Sequence, residues 1–148
     1  MKRRFASSAL VGSDFYLIGG CQNYYEQIGD MHKLSLLPLI ENRAEDLKWE
    51  VVLLNEPILQ RWGHSSDVLN GKIYIFAGRV NSSTDDSELI EYNCQSGELR
   101  MVQYEGRAPQ PRRRHGSVLV GDCLLIFGGY NGKYFNDFSF IKLPRKIC

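Results

Sequence analysis

Three stretches of this 148-residue chain repeat one pattern of polar and apolar positions. They run from Arg3 to Gly20, from Arg61 to Gly78 and from Arg112 to Gly129, and they align without a gap. Each opens on an arginine, passes through a short mixed strand, turns, and enters a β-branched and aromatic run that ends in glycine. Ser65 to Leu69 followed by Ile73 to Phe76 is the clearest case, with Asn70-Gly71 between them. Asn-Gly flanked by apolar runs predicts a two-residue hairpin, because both residues tolerate positive φ. Gly121-Asp122 holds the same place before Leu124 to Phe127. The pairs Gly19-Gly20 and Gly128-Gly129, and Gly78 after Ala77, mark where each strand ends and a side chain has no room.

The pattern continues past each hairpin. A third strand is predicted over 30–35, 88–93 and 137–143, and a fourth over 48–53 and 98–103. Trp49 falls on the fourth strand of the first repeat, where a large ring covers an edge, and Leu99 or Met101 takes its place in the second. No segment carries sustained 3.6-residue periodicity with caps, so helices should be scarce. Closing glycines 58 and then 51 residues apart match a repeat of about 50 residues. Four short antiparallel strands per unit make the blade of a propeller. The expected fold is therefore all-β, a partial β-propeller of three blades with up to four antiparallel strands each. The blades fall at about 3–57, 61–106 and 112–143 of a single region covering 1–148. The third lacks its fourth strand, since only Pro144 to Cys148 follow Leu143.

These residues resemble the kelch repeat. The shared features are the glycine pair, an acidic residue opening the third strand, and an aromatic or aliphatic residue four positions on (Leu34, Tyr92, Ile141). A fourth-strand tryptophan follows, and then a proline and arginine ahead of a histidine. Pro111 to His115 and Gly128 to Asp137 come nearest to the family pattern. Departures are Ala6 where the other repeats have His64 and His115, and Ala77-Gly78 in place of two glycines. Three blades fall short of the roughly 4 to 8 of a closed propeller. The remaining blades are expected from the same longer chain, with a second copy as the other way to close the ring. Bare blade faces and strand edges otherwise invite association.

Composition narrows the setting. Hydrophobic residues at 43% and charged residues at 24% are those of an ordinary globular domain. A formal net charge of +1 gives no general attraction to nucleic acid or to an anionic membrane. No apolar run approaches the roughly 20 residues that span a bilayer. The basic start is followed by a stretch broken by Ser7, Ser8, Ser13 and Asp14, a poor signal peptide, so a cytoplasmic protein is expected. Cys21, Cys94, Cys123 and Cys148 have neither CxxC spacing nor a histidine cluster. They read as reduced thiols rather than a zinc or redox site, and no metal or cofactor is expected.

Candidate residues divide by whether the repeats agree. Arg3, Arg61 and Arg112 are equivalent, which suggests one structural task, a guanidinium bridging strands or loops of neighbouring blades. His64 and His115 are also equivalent and read as core or capping residues, since blades would spread them around a ring. Gly19, Gly20, Gly78, Gly128, Gly129 and Trp49 complete the structural set. Binding is expected where the repeats differ. One variable set follows the arginines (Arg4, Trp62, Arg113, Arg114). The other follows the glycines (Tyr24, Arg79, Asn81, Tyr130, Asn131). In the kelch family these two loop sets lie on one face around the channel, and some adaptors hold acidic peptides there. Arginine grips a carboxylate bidentately, and tyrosine and tryptophan give rigid anchor area. Thr84-Asp85-Asp86 reads as a solvated acidic loop tip, and 37–48 as a tolerated loop insertion.

The function implied is a protein-interaction module whose partner is a protein or an acidic peptide, in some relatives the substrate adaptor of a ubiquitin ligase. The alternative is a scaffold or assembly protein that uses its blade edges. Catalysis is not expected. The chain has no HExxH, GxSxG or glycine-rich phosphate loop, and three histidines in half a ring cannot build the copper centre of kelch-type oxidases.

Overall fold

The computed structural model describes residues 2–144. Eleven strands form three separate antiparallel sheets, with almost no helix. The first sheet has the order β1 (Ser7–Val11), β2 (Asp14–Ile18), β3 (Met31–Ser35) and β4 (Trp49–Val52). The second repeats it with β5 (Ser65–Leu69), β6 (Lys72–Arg79), β7 (Asp85–Asn93) and β8 (Leu99–Val102). The third holds β9 (Gly116–Val120), β10 (Cys123–Phe127) and β11 (Phe138–Lys142). None of the sheets closes on itself, and β1 lies beside β5 as β5 lies beside β9. The architecture is a partial propeller of three blades. Cys148 and the residues around it lie outside the described residues.

The hairpins carry the turns that their residues require. Leu69 pairs with Lys72 across Asn70 and Gly71, whose φ angles are 51° and 72°. Such a pair of positive φ angles matches the right-handed twist of the flanking strands. Between 37 and 48 the chain forms a four-residue helical turn, α1 (Leu37–Ile40), and a 3₁₀ turn (Ala44–Asp46) rather than a bare loop. Arg43 pairs there with both Glu41 and Asp46. This insertion leaves the end of the blade that holds the β1–β2 turn, where the Leu36 N–H donates to the Ser13 carbonyl at 2.8 Å.

Burial explains why the strands differ in composition. The second sheet is covered on both faces. Ile73, Ile75, Ile90 and Tyr92 pack with Ala9, Tyr16, Ile18 and Met31 of the first sheet. Tyr74, Phe76 and Leu89 pack with Leu124, Ile126 and Ile141 of the third. Successive residues of a strand point to opposite faces, so β6 must be apolar at every position from Ile73 to Ala77. Burying a side chain the size of Ile73, Ile75 or Phe76 contributes about 1.5–3 kcal/mol. Leu99 pairs with Tyr92 as Trp49 pairs with Leu34, so Leu99 rather than Met101 holds the tryptophan's place. Trp49 itself is half exposed and sets its ring against Phe15, with centroids 6.0 Å apart.

Arg3, Arg61 and Arg112 work within their own blades. The Arg61 guanidinium donates to the Ala77 carbonyl at 2.8 Å and to both Asp86 oxygens at 2.9 and 3.0 Å. Arg112 does the same with Gly128 and Asp137, and Arg3 with Gly19 and Asp30. The expected bridge between blades is made instead by backbone. Gly20 N–H donates to the Arg61 carbonyl at 2.8 Å, and Gly78 N–H to the Arg112 carbonyl at 2.9 Å. The histidines join it: His64 Nε2 reaches the Ile18 carbonyl at 3.1 Å, and His115 Nε2 the Ser65 hydroxyl at 2.8 Å.

Two details differ from the sequence expectation. β6 runs through Gly78 to Arg79 and pairs with Asp85 and Asp86, so β7 begins at Asp85 rather than Glu88. A register shift between Phe76 and Gly78 gives β7 an extra residue. Asp86, not Glu88, is therefore the acidic partner of Arg61, and Thr84-Asp85-Asp86 is no solvated tip. The glycines are also required by a local contact. A Cβ on Gly78 would stand 2.9 Å from the Trp62 carbonyl, at a φ of 104° closed to other residues.

Candidate protein-binding face

At the end of the blades opposite the hairpin turns, the two variable loop sets meet. Backbone bridges place them. Arg4 pairs with Cys21, Trp62 with Arg79, and Arg113 with Tyr130. Each residue following one of the repeat-equivalent arginines is thus tied to the residue following its own blade's glycines. Neighbouring blades then bring the three pairs side by side.

The result is a layer of alternating rings and guanidiniums. Trp62 is its floor, only 2% exposed, with Phe5 at 5.3 Å and Tyr24 at 5.7 Å between centroids. Arg4 lies 4.2 Å from the Tyr24 ring centroid, and Arg114 4.3 Å from that of Phe5. Arg113 bridges the Trp62 and Tyr130 rings at 5.4 and 4.8 Å. Tyr134, strongly exposed, extends the layer from Tyr130 at 4.9 Å. A guanidinium over an aromatic face is held by the ring quadrupole, and the contact orders a side chain that would otherwise sample many rotamers.

The arginines differ in their counter-charges. Asp85, almost wholly buried, accepts from Arg113 at 2.6 Å and stands 3.5 Å from Arg79. Arg79 also donates to the Ser82 carbonyl at 2.6 Å. Arg4 and Arg114 have no carboxylate within ion-pair distance among the described residues. Both are exposed. Asn81 is engaged in its own turn, where its side-chain oxygen accepts the Ser83 N–H at 2.9 Å. The Asn131 side chain donates to the Pro111 carbonyl at 2.8 Å.

Of the residues singled out from sequence, Arg4, Tyr24, Trp62, Arg113, Arg114 and Tyr130 form one continuous layer. Arg79 adjoins it through Asp85, while Asn81 and Asn131 shape the loops. Phe5 and Asp85 were not among them. Phe5, at a φ of 55°, links Arg4, Tyr24, Trp62 and Arg114, and Asp85 settles the charge of two arginines. Two variable arginines at neighbouring blade positions signal the need for such an acid. Burial raises the pKa of the Cys21 thiol beneath Arg4, in spite of that guanidinium. Cys21, Cys94 and Cys123 are free thiols. Among the described residues no group of three metal-ligating side chains converges, and no helix is long and apolar enough to cross a membrane.

Blades of antiparallel sheet, joined by an arginine carbonyl and bearing a loop face at one end, define a repeat-built interaction scaffold. A family model described as the KLHDC2/KLHL20/DRC7 Kelch-repeats domain matches residues 5–146, and the chain belongs to the kelch-repeat family. It is similar to the human Kelch domain-containing protein 3, 32% identical over 134 residues that cover 86% of this chain and 34% of that protein. It is also similar to the Drosophila melanogaster leucine-zipper-like transcriptional regulator 1 homolog, 32% identical over 70% of this chain and 11% of that protein. The Dictyostelium discoideum Rho GTPase-activating protein gacHH matches at 39% identity over 51% of this chain and 5% of its own length. The chain thus spans about a third of the length of Kelch domain-containing protein 3. Membership of this family makes it a protein-interaction module.

Proposed function

We propose that the loop face holds a carboxylate-rich segment of a partner protein, with Arg4 and Arg114 as its anion contacts. The observation that carries this reading is their state: two exposed guanidiniums stacked on Tyr24 and Phe5, with no carboxylate partner among the described residues. Phe5, Tyr24 and Tyr134 supply rigid ring surface beside them, Trp62 supports the layer from beneath, and Arg113 and Tyr130 extend it. Arg79 is a weaker candidate than Arg114, because Asp85 already answers its charge. A bidentate carboxylate contact is a strong, oriented hydrogen-bond pair. In this reading the chain works in the cytoplasm, where Cys21, Cys94 and Cys123 stay reduced. The adaptor role implied by the family resemblance would have this face capture a protein for ubiquitin transfer.

The test uses fluorescent random-peptide pools, one rich in Asp and Glu and one rich in Lys, read by anisotropy. The acidic pool should bind in preference, and more weakly as salt rises. Arg4→Glu with Arg114→Glu should lower its affinity by about tenfold or more, while Arg79→Gln changes it little. Equal binding of both pools, or full affinity in the double variant, would contradict the reading. A scaffold that uses blade edges is the second reading, supported by the exposed apolar faces of the first and third sheets (Leu10 and Val51, Phe138 and Phe140).

A further inference from the structure

We infer that Asp85 is a specificity-determining residue of the loop face, a carboxylate of the protein's own that occupies Arg79 and Arg113 and keeps both from a partner's anions. Given the anion-binding face proposed above, its charge sets how many of that face's guanidiniums (Arg4, Arg79, Arg113 and Arg114) a partner meets. Asp85 stands at the joint between the second and third sheets, and both sides of that joint lie within residues 2–144.

The three blades share one short ladder at this end. It runs Arg4, Cys21, Gln27 in the first blade, Trp62, Arg79, Asp85 in the second and Arg113, Tyr130, Tyr134 in the third. Gln27, Asp85 and Tyr134 are therefore equivalent, and of these three only Asp85 is an acid. The same fold accepts an amide or a phenol at that position, so the backbone does not require the carboxylate. Arg113, from the next blade, reaches back across the joint to Asp85 at 2.6 Å. Arg79, its ladder neighbour, stands 3.5 Å away.

The bonding of Asp85 sets it apart from the acids that hold the blades. Asp30, Asp86 and Asp137 each have both carboxylate oxygens engaged by Arg3, Arg61 and Arg112. The Asp85 side chain is 5% exposed, yet only its Oδ2 meets a guanidinium. Its Oδ1 is buried without a hydrogen-bond partner among the described residues, as are Arg113 Nε and Trp62 Nε1. A buried ion pair repays its desolvation only when the remaining lone pairs and protons are also satisfied. The pair thus adds little to the joint but cancels charge at short range. Successive residues of a strand face opposite ways, so Asp86 turns to Arg61 of its own blade while Asp85 turns to Arg113 of the next. Arg79 and Arg113 are otherwise held at the face by the Ser82 carbonyl and by the Trp62 and Tyr130 rings. An amide in place of the carboxylate would release their charge there.

Anisotropy titrations of the full chain with the Asp- and Glu-rich and the Lys-rich peptide pools test this, with circular dichroism as the check on folding. Asp85→Asn should bind the acidic pool about fivefold more tightly than wild type, with a steeper loss as salt rises. Asp85→Gln, which installs the side chain found at Gln27, should act alike and serves if the first variant fails to fold. The deciding readout is Arg79→Gln. Neutral while Asp85 is present, it should cost about threefold in affinity once Asp85 is an amide. A residue that only held the joint together would lower stability and leave that coupling at zero. Unchanged or weaker affinity in the Asp85 variants, or an Arg79→Gln effect equal in both backgrounds, overturns the inference. A wild-type preference for the acidic pool would then leave Arg4 and Arg114 standing. No preference in wild type with a gain in Asp85→Asn would instead keep the role of Asp85 and remove theirs.

Discussion

Arg112 and Arg114 stand two positions apart on one segment, and their surroundings put them to opposite uses. Arg112 is completely buried, answered by Asp137 at 2.6 and 2.8 Å and by the Gly128 carbonyl at 2.8 Å. Arg114 is exposed at a φ of 56° and rests on Phe5, with no carboxylate beside it among the described residues. Arg113 between them is intermediate, turned toward Asp85. A charge can be buried only where partners replace its water, and such a charge is then closed to any ligand. A guanidinium held on a ring in solvent keeps its charge available. Blade interior and loop face therefore place the same side chain differently, one holding the fold and the other left open for the anion contact proposed above.

The contrast is sharpest in stability. Arg61→Leu would leave the largely buried Asp86 carboxylate and the Ala77 carbonyl without their donor. Losing one partner of a buried pair costs about 3–5 kcal/mol, and urea unfolding should show it. A loss below about 1 kcal/mol would put this pair in the class of surface ion pairs.

Acidification should reach the joints before the face. Burial holds His64 down at about 3 and His115 at about 4. Both rings are neutral when folded, whereas the unfolded chain protonates them near the ordinary histidine pKa of about 6.5. As pH falls through that value only the unfolded state takes up these protons, so stability is lost from there down toward the folded pKa values. Asp86 acts in the opposite sense, because burial raises it to about 6 despite Arg61, and its protonation favours the folded state as pH falls. Burial raises Asp67 in the same sense as Asp86, so the two rings against these carboxyls leave a net loss of at most about 2 kcal/mol between pH 6.5 and 5. Urea midpoints at the two pH values measure it, and His64→Gln should remove most of the difference. An unchanged pH slope in that variant would break the assignment.

Gly78→Ala should cost about 1–3 kcal/mol, since the new Cβ meets the Trp62 carbonyl at a φ that alanine avoids. Thermal melting reads the loss. The smallest change in stability belongs to the loop face. Arg114→Gln should move it by no more than about 0.5 kcal/mol, because no described carboxylate or buried carbonyl depends on that side chain.

Much of the scaffold was legible because it repeats. Aligned hairpins, turn residues and glycines placed strands to within a few residues, and equivalence pointed to Arg3, Arg61 and Arg112. The exception at Asp86 has a physical cause. A four-residue spacing to Tyr92 makes Glu88 the natural match to Asp30 and Asp137, but the extra residue in β7 moves the acid that Arg61 reaches. Composition alone does not reveal a bulge. The loop face was legible as a set of variable positions but not as a layer, because Phe5, Tyr24, Trp62 and Arg114 meet only when neighbouring blades are assembled. Nor does sequence tell which arginine a buried Asp85 neutralises. That distinction is why Arg4 and Arg114, rather than Arg79, are the anion contacts proposed.

The most direct measurement sets Arg112→Gln beside Arg114→Gln, each assayed for urea stability and for affinity toward the acidic peptide pool. The account predicts that Arg112→Gln loses several kcal/mol, in line with a broken buried pair, yet binds normally where it remains folded. Arg114→Gln should keep its stability and lose affinity. Equal stabilities for the two variants, or undiminished binding by Arg114→Gln, would contradict the division of labour between blade interior and loop face.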